Sequence, residues 1–333
     1  MRRRRVLRVG LWVLALGLAL ALTGEILVRA LGLATVRGEP ITCWDAVYGK
    51  RVRSDLDGVR TTPRYRMRLS TNAAGRRGPL PRDGVPIVVV LGDDVSFGMG
   101  VDDGQEYPRL LEATLRTRGH DLDVVSHAMP SDANGRALLR VRHALPARPP
   151  RAVVLQISGD DFRDNAREAL FALDGARGVT PRAIPSRSLP RAVQDLLAPL
   201  PWLHESQLLA WLREGVAARD SGADAPAPRI AGGGVHPVDV DALTLALIDA
   251  SLAECAQRGW PVLVVLANVD EAAHQDALRD LAAARGARLL VLPPRTLAPE
   301  HHLAGTELLT VAGHRDAATR IADALESPPS LLR

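Results

Sequence analysis

The alternation of apolar and polar positions divides this chain into an apolar head, an irregular lead-in and a long body in which strand and helix patterns take turns. The head is the charge-free run from Val9 to Thr23, preceded by Arg2 to Arg5 and bounded by Glu25 and Arg29. With Val6 and Leu7 it falls a little short of the roughly 20 apolar residues that span a bilayer. The apolar helix pattern continues, however, through Ile26, Leu27, Val28 and Leu31. It predicts one transmembrane helix over 6–28 behind a basic tail, 1–5. The positive charge holds that tail in the cytoplasm and sends the rest across. Ala19 and Ala21 offer a small-x-small cleavage site. The continuing pattern favours an uncleaved signal-anchor, and no cysteine follows the run to carry a lipid.

Residues 37–85 read as an irregular juxtamembrane segment with Pro40, Pro63, Pro79 and Pro81, in which Tyr65 to Leu69 alternates like a strand. The body, 86–326, then alternates β-branched apolar runs with amphipathic stretches. Strands are expected at Ile87–Leu91, Leu122–Val125, Ala152–Ile157, Pro261–Ala267 and Arg288–Leu292. Helices are expected over 105–118, 132–145, 271–285 and 312–326. Such a sequence of elements predicts an α/β domain with a doubly wound parallel sheet and right-handed crossovers. An interval at 173–240 is too long for a simple crossover. It carries one amphipathic stretch, Leu203 to Leu212, and a Gly/Ala/Pro-rich stretch, Ser221 to Gly234, and reads as an insertion over the sheet edge.

Charge changes this picture little. The formal net charge is +4 over 333 residues, and the basic side is almost all arginine, with Lys50 the only lysine. Beyond Arg2 to Arg5 the arginines are interleaved with acids, so no nucleic-acid surface is expected. Cys43 and Cys255 are far apart; outside the cytoplasm they could pair, or they could stand as two separate thiols.

The candidate chemistry lies where the first body strand ends, in Ile87-Val-Val-Val-Leu-Gly-Asp-Asp-Val-Ser-Phe-Gly-Met-Gly100. A strand running into a turn of small and acidic residues puts those side chains at the carboxyl edge of the sheet, where open α/β folds place their sites. The segment resembles the first block of the SGNH (GDSL-type) hydrolase family. The passage Asn72-Ala-Ala-Gly-Arg-Arg-Gly-Pro79 is similar to the N-x-x-G-x-R-G-P lead-in of its membrane-anchored members. The resemblance implies a flavodoxin-like strand order and ester chemistry on carbohydrate or cell-envelope substrates, with a serine, a histidine, an orienting carboxylate and oxyanion donors.

Block by block, those side chains are replaced. Asp94 stands in the serine slot. Ala128, in Ser126-His-Ala-Met-Pro-Ser131, matches the glycine that donates a backbone N–H, and His127 beside it reads as incidental. Asp160, in Gly159-Asp-Asp-Phe-Arg-Asp-Asn165, matches the asparagine whose amide donates to the oxyanion; an ionised aspartate has no donor. Alignment on Ala312-Gly-His314 places Thr306 at the acid and Leu308 at the catalytic histidine, with His314 a second histidine opening the closing helix. Ser96, two residues past Asp94, and His302, in Glu300-His-His302, are the fallback nucleophile and base.

The expectation is therefore a catalytically degenerate SGNH-like domain outside the cytoplasm, anchored in the bacterial inner membrane, that binds a carbohydrate or an envelope-protein partner. The alternative is an active esterase or acyltransferase working through Ser96 and His302. Neither a cofactor nor a metal is called for. Asp94 and Asp160, with Asp93 and Asp161 near them, could face each other and recruit a cation, but bonds to loop amides are the favoured role.

Overall fold

A computed structural model describes residues 2–175, 178–186, 192–193, 195–196, 200, 203, 205–220 and 239–332. The Gly/Ala/Pro-rich stretch expected at 221–234 lies outside the described residues. The chain opens with helix α1 (Arg2–Leu31). Within it, Arg8–Leu31 is long and apolar enough to cross a membrane. Its apolar side chains, from Val9 to Leu22, stand exposed.

The lead-in is more ordered than its prolines and glycines suggest. It forms two antiparallel hairpins: β1 (Thr42–Asp45) with β2 (Gly49–Val52), and β3 (Asp57–Thr61) with β4 (Arg66–Ser70). Only the last carries a clear alternation, with Met67 and Leu69 buried between exposed arginines. The other three are four or five residues long and show no apolar alternation, so their pairing comes from the body they pack on rather than from their own pattern.

The body builds one five-stranded parallel sheet. Its strands are β5 (Ile87–Leu91), β6 (Asp123–Ser126), β7 (Ala152–Ser158) and, beyond the insertion, Val262–Ala267 and Arg288–Val291. Between β5 and β6 lie a single turn, α2 (Asp94–Phe97), and α3 (Tyr107–Thr117). Next come α4 (Asn134–His143), before β7, and α5 (Asp161–Glu168), directly after it. A hairpin of β8 (Phe171–Asp174) and β9 (Gly178–Pro181) and helix α6 (Gln207–Asp220) belong to the insertion. The chain closes with α7 (Val240–Gln257), β10 (Val262–Ala267), α8 (Ala272–Ala284), β11 (Arg288–Val291) and α9 (Val311–Glu326).

The strand order is β11-β10-β7-β5-β6. Numbered along the sheet strands alone this is 2-1-3-4-5, the flavodoxin-like arrangement. Strands β5, β7 and β10 are buried along their whole length, which is why they read as continuous apolar runs. Alternate residues feed two cores. Val88 and Val90 pack with Tyr107, Leu111 and Ile321 under α3 and α9; Val89 and Leu91 pack with Ala137, Val141 and Ile248 under α4 and α7. The chain leaves β5 to one side for β6 and returns on the other as β7, so their carboxyl ends diverge into a crevice at the switch point.

Two details differ from expectation. Helix α7, in a stretch where the pattern marks no helix, is apolar nearly all round because it is covered by α4 and α5. Helix α6 begins at Gln207, four residues after the expected Leu203. Cys43 and Cys255 are both free thiols; burial against the sheet pushes the Cys255 thiol up to about 12.

Candidate functional site

The turn after β5 is built around one side chain, Gln156 of β7. Its Oε1 accepts from Asp93 N at 3.1 Å and from the Ser96 hydroxyl at 2.8 Å, and its Nε2 donates to Ser158 Oγ at 2.6 Å. Gly92 makes this possible: a Cβ there would lie 2.4 Å from both Gln156 Oε1 and Ser96 Oγ. Asp93 is the N-cap of α2, its Oδ1 accepting from Val95 N at 2.9 Å while Oδ2 accepts from the Ser158 hydroxyl. A capping carboxylate satisfies amides that a four-residue helix leaves free.

Four aspartates gather at this edge. One oxygen each from Asp93, Asp160 and Asp161 lies within 4.8 Å of the others. Burial raises all of them. Asp93 is pushed to about 7 by desolvation, with Asp160 and Asp94 adding to it. Asp161 is held well above the usual carboxylate range by burial and by Asp93. Asp160, half-buried at the start of α5, is raised by burial and by Asp164. Asp94 rises to about 6 by burial, against the Ser131 N–H (3.3 Å from its Oδ2) and the charge of Lys50; Asp160 pushes it further. Close oxygens of this kind suit a hard cation. Yet Asp161 Oδ2 already accepts from Ser158 N and Asn134 Nδ2, and both Asp93 oxygens are in use.

Lys50 is one of the cations that oppose this excess, acting on Asp94 together with Arg60. It reaches in from β2 and donates to Pro130 O at 2.9 Å and Ser131 O at 2.8 Å. Burial draws its pKa down to about 8, helped by Arg136 and opposed by Glu168, Asp132 and Asp94. Sequence reasoning passed over Lys50 except as the lone lysine. That uniqueness, on a strand without apolar pattern, was the available signal.

Comparisons with known proteins give partial similarities. No family model matches the chain. Esterase TesA of Pseudomonas aeruginosa is 31% identical over 74 residues, 22% of this chain and 37% of that protein. An arylesterase of Vibrio mimicus is 27% identical over 99 residues, 30% of this chain and 43% of that protein. The chain thus spans less than half the length of either curated relative. Among solved structures, a lipase/acylhydrolase of Enterococcus faecalis gives a TM-score of 0.43 at 12% identity, covering 73% of this chain and 96% of that one. AlinE4, an SGNH-hydrolase family esterase, gives 0.35 at 16% identity, covering 63% and 77%. The chain is similar, over part of its length, to esterases, and the solved structures it resembles include SGNH-hydrolase family members.

The positions matched to SGNH chemistry fall around the crevice as follows. Asp94 opens α2 and faces Ser131 of the second block. Ala128 N donates to Ser126 Oγ at 3.3 Å, and its methyl is buried with Phe97, Met99 and Met129. Leu308 packs against that same apolar cluster. The Thr306 hydroxyl donates to Leu303 O at 2.9 Å and accepts from Leu308 N at 3.2 Å, and its carbonyl accepts from Arg295 at 3.4 Å. His127, near Arg76 and Arg140, is held far below the usual imidazole range, by burial first.

The two fallback residues do not meet. Ser96 is 0% exposed, and its hydroxyl lies between Gln156 Oε1 and Tyr107 OH, 2.6 Å away. The His302 ring contacts Ala298 O through Nδ1 at 3.2 Å and Asn268 Oδ1 through Nε2 at 3.1 Å. Asn268 in turn donates to Glu307 O at 2.9 Å.

The SGNH framework residues have clear structural tasks. His314 accepts from Tyr107 N at 3.2 Å, relieving a free donor at the start of α3, and burial lowers it to about 3. Arg77, which the sequence presents as part of a surface turn, is a buried hub. Its guanidinium donates to Phe97 O (3.1 Å), Gly98 O (2.7 Å), Val101 O (3.1 Å) and Asp103 Oδ1 (3.1 Å), and it lies 3.5 Å from Glu106. Asn72 shapes the turn that delivers it, accepting from Ala74 N and Arg76 N and donating to Gly78 O.

Proposed function

We propose that this SGNH domain is catalytically degenerate and binds a ligand or partner of the cell envelope at its aspartate-lined crevice. The observation that carries the reading is the carboxylate of Asp94 at the first residue of α2, with Asp160 close enough to raise it. A developing oxyanion needs donors, and here Asp94 and Asp160 add acceptor carboxylates where the matched family positions hold a hydroxyl and an amide. The enclosed Ser96 hydroxyl supports the same reading, since a nucleophile must reach its substrate. Carboxylates lining a crevice suit a hydroxyl-rich carbohydrate, whose O–H groups donate to them, or a cationic group. In this reading α1 is a single-pass anchor in the bacterial inner membrane and the domain faces the periplasm.

The competing reading is a working esterase or acyltransferase using Ser96 and His302. The similarity to two curated esterases favours it. The full chain in detergent, assayed on a small acetyl ester and with a fluorophosphonate probe, separates the two. The degenerate site gives no turnover above background and no labelled serine. Turnover or labelling abolished by Ser96→Ala or His302→Ala would establish the esterase instead. A carboxyl-terminal reporter that proved cytoplasmic would overturn the topology.

A further inference from the structure

The insertion is clamped to α1 at the level where the anchor loses its apolar character. Glu25 of α1 accepts from the first amides of α6, Gln207 N at 3.0 Å and Leu208 N at 2.9 Å, and from Ser206 Oγ at 2.8 Å. Arg29 donates to Glu205 O at 2.9 Å. Leu208 sits against Gly24, where a Cβ would lie 3.1 Å from its methyl carbon. A second clamp runs the other way: Glu214 of α6 accepts from Thr35 N at 2.9 Å, Val36 N at 2.6 Å and the Thr35 hydroxyl at 2.6 Å. Seven residues of α6 therefore climb alongside ten residues of chain from Glu25 to Thr35. The helix rises with α1 rather than crossing it, and the chain that precedes α6 lies at its lower end.

The height of that lower end follows from arithmetic. The charge-free run Val9–Gly24 covers roughly 24 Å of helix, against a hydrocarbon core of about 30 Å. If α1 spans, Glu25 and the first turn of α6 stand at the boundary between hydrocarbon and headgroups. The residues there are suited to it. Leu200 is exposed, and its carbonyl accepts from Leu203 N, whose carbonyl accepts from Ser206 N, so it stands two short turns before the clamp. Trp211, one turn above, is 42% exposed, and Leu196 is 74% exposed. Apolar side chains and tryptophan at this depth are those that membrane interfaces favour.

We propose that the foot of the insertion, marked by Leu200, Leu203 and Trp211, is embedded in the membrane interface beside α1 and sets the SGNH-like domain at a fixed height and orientation on the bilayer. The proposal rests on the spanning reading of α1. Because Glu214 grips Thr35 and Val36, and Arg37 then pairs with Thr61, the domain is braced and not merely tethered.

The test uses the full chain in phosphatidylcholine–phosphatidylglycerol nanodiscs, with Cys43→Ser and Cys255→Ala and one new cysteine at a time, carrying an environment-sensitive fluorophore. Positions are Leu18 within α1, Leu200 in the foot and Asp276, exposed on α8. With lipids bearing a quencher near the headgroup, Leu200 should be quenched at least twofold more than Asp276, and Leu18 should respond to a deeper quencher. Quenching at Leu18 with Leu200 indistinguishable from Asp276 overturns the embedded foot while leaving the anchor intact. No quenching at Leu18 overturns the spanning helix and the foot with it.

Discussion

The two ends of α2 handle buried charge in opposite ways. At its carboxyl end, one cation, Arg77, meets the free carbonyls of Phe97 and Gly98, a third carbonyl and two carboxylates. At its amino end, Asp93, Asp94, Asp160 and Asp161 crowd together, opposed by Lys50 and Arg60 at Asp94 and by Arg163 at Asp160. A buried ion is tolerated when its hydrogen-bonding capacity is filled and its charge is opposed. Arg77 meets both conditions. The amino end meets the hydrogen-bond condition for Asp93 and Asp161 and fails the charge condition, so protons make up the difference. The first arrangement holds the fold together; the second is a strained surface that a ligand could relieve.

The contrast breaks most severely at Arg77. Arg77→Ala removes every donor of the hub and leaves Glu106 buried without its cation. Chemical denaturation should show a loss of about 3–5 kcal/mol, with little recovery in Arg77→Lys, because a point charge cannot serve three carbonyls at once. Equal stability of the lysine variant would mean that charge alone matters there.

Ser96→Ala sharpens the boundary between the two ends. It leaves Tyr107 OH short of a partner and one bond to Gln156 unmade, so stability should fall by about 1–3 kcal/mol. Any residual ester hydrolysis should be unchanged. A variant that kept full stability while losing turnover would assign Ser96 to chemistry.

Asp94→Asn probes the aspartate end and should have the smallest effect, with the opposite sign. Asp94 has a folded-state pKa raised to about 6 from 3.8. Such a group contributes stability that is present below its unfolded pKa and lost as pH rises through the folded one. The amide should therefore stabilise by about 1 kcal/mol at pH 8, after screening at this half-exposed site, and by almost nothing at pH 3. Melting curves at the two pH values check it; an equal effect at both would exclude electrostatics as the cause.

How legible each feature is in the sequence follows its physical origin. The five body strands and the helices over them are visible because a doubly covered sheet needs apolar runs such as Ile87–Leu91, and its helices need one apolar face. Helix α7 is hidden by the same logic, since burial on most sides erases the polar stripe. The crowding of Asp93, Asp94 and Asp160 follows from adjacent strand ends, which the block resemblance supplies. Lys50 and Arg77 were not legible. Each comes from an irregular lead-in whose hairpins are set by tertiary contacts, and a long flexible side chain gives no local sign of where its charge ends. The enclosure of Ser96 depends on Gln156, sixty residues away.

Gly159 carries a last consequence. A side chain there would strike the carbonyl of Asn268 at 2.6 Å, so the end of β7 and the end of β10 touch backbone to backbone. Asp160 follows one of these turns, and Asn268, at the other, grips His302 and Glu307. Pressure on one turn is passed to its neighbour without a flexible link between them. The turn that carries Asp160 and the turn that holds His302 are thus joined through backbone contact rather than through side chains alone.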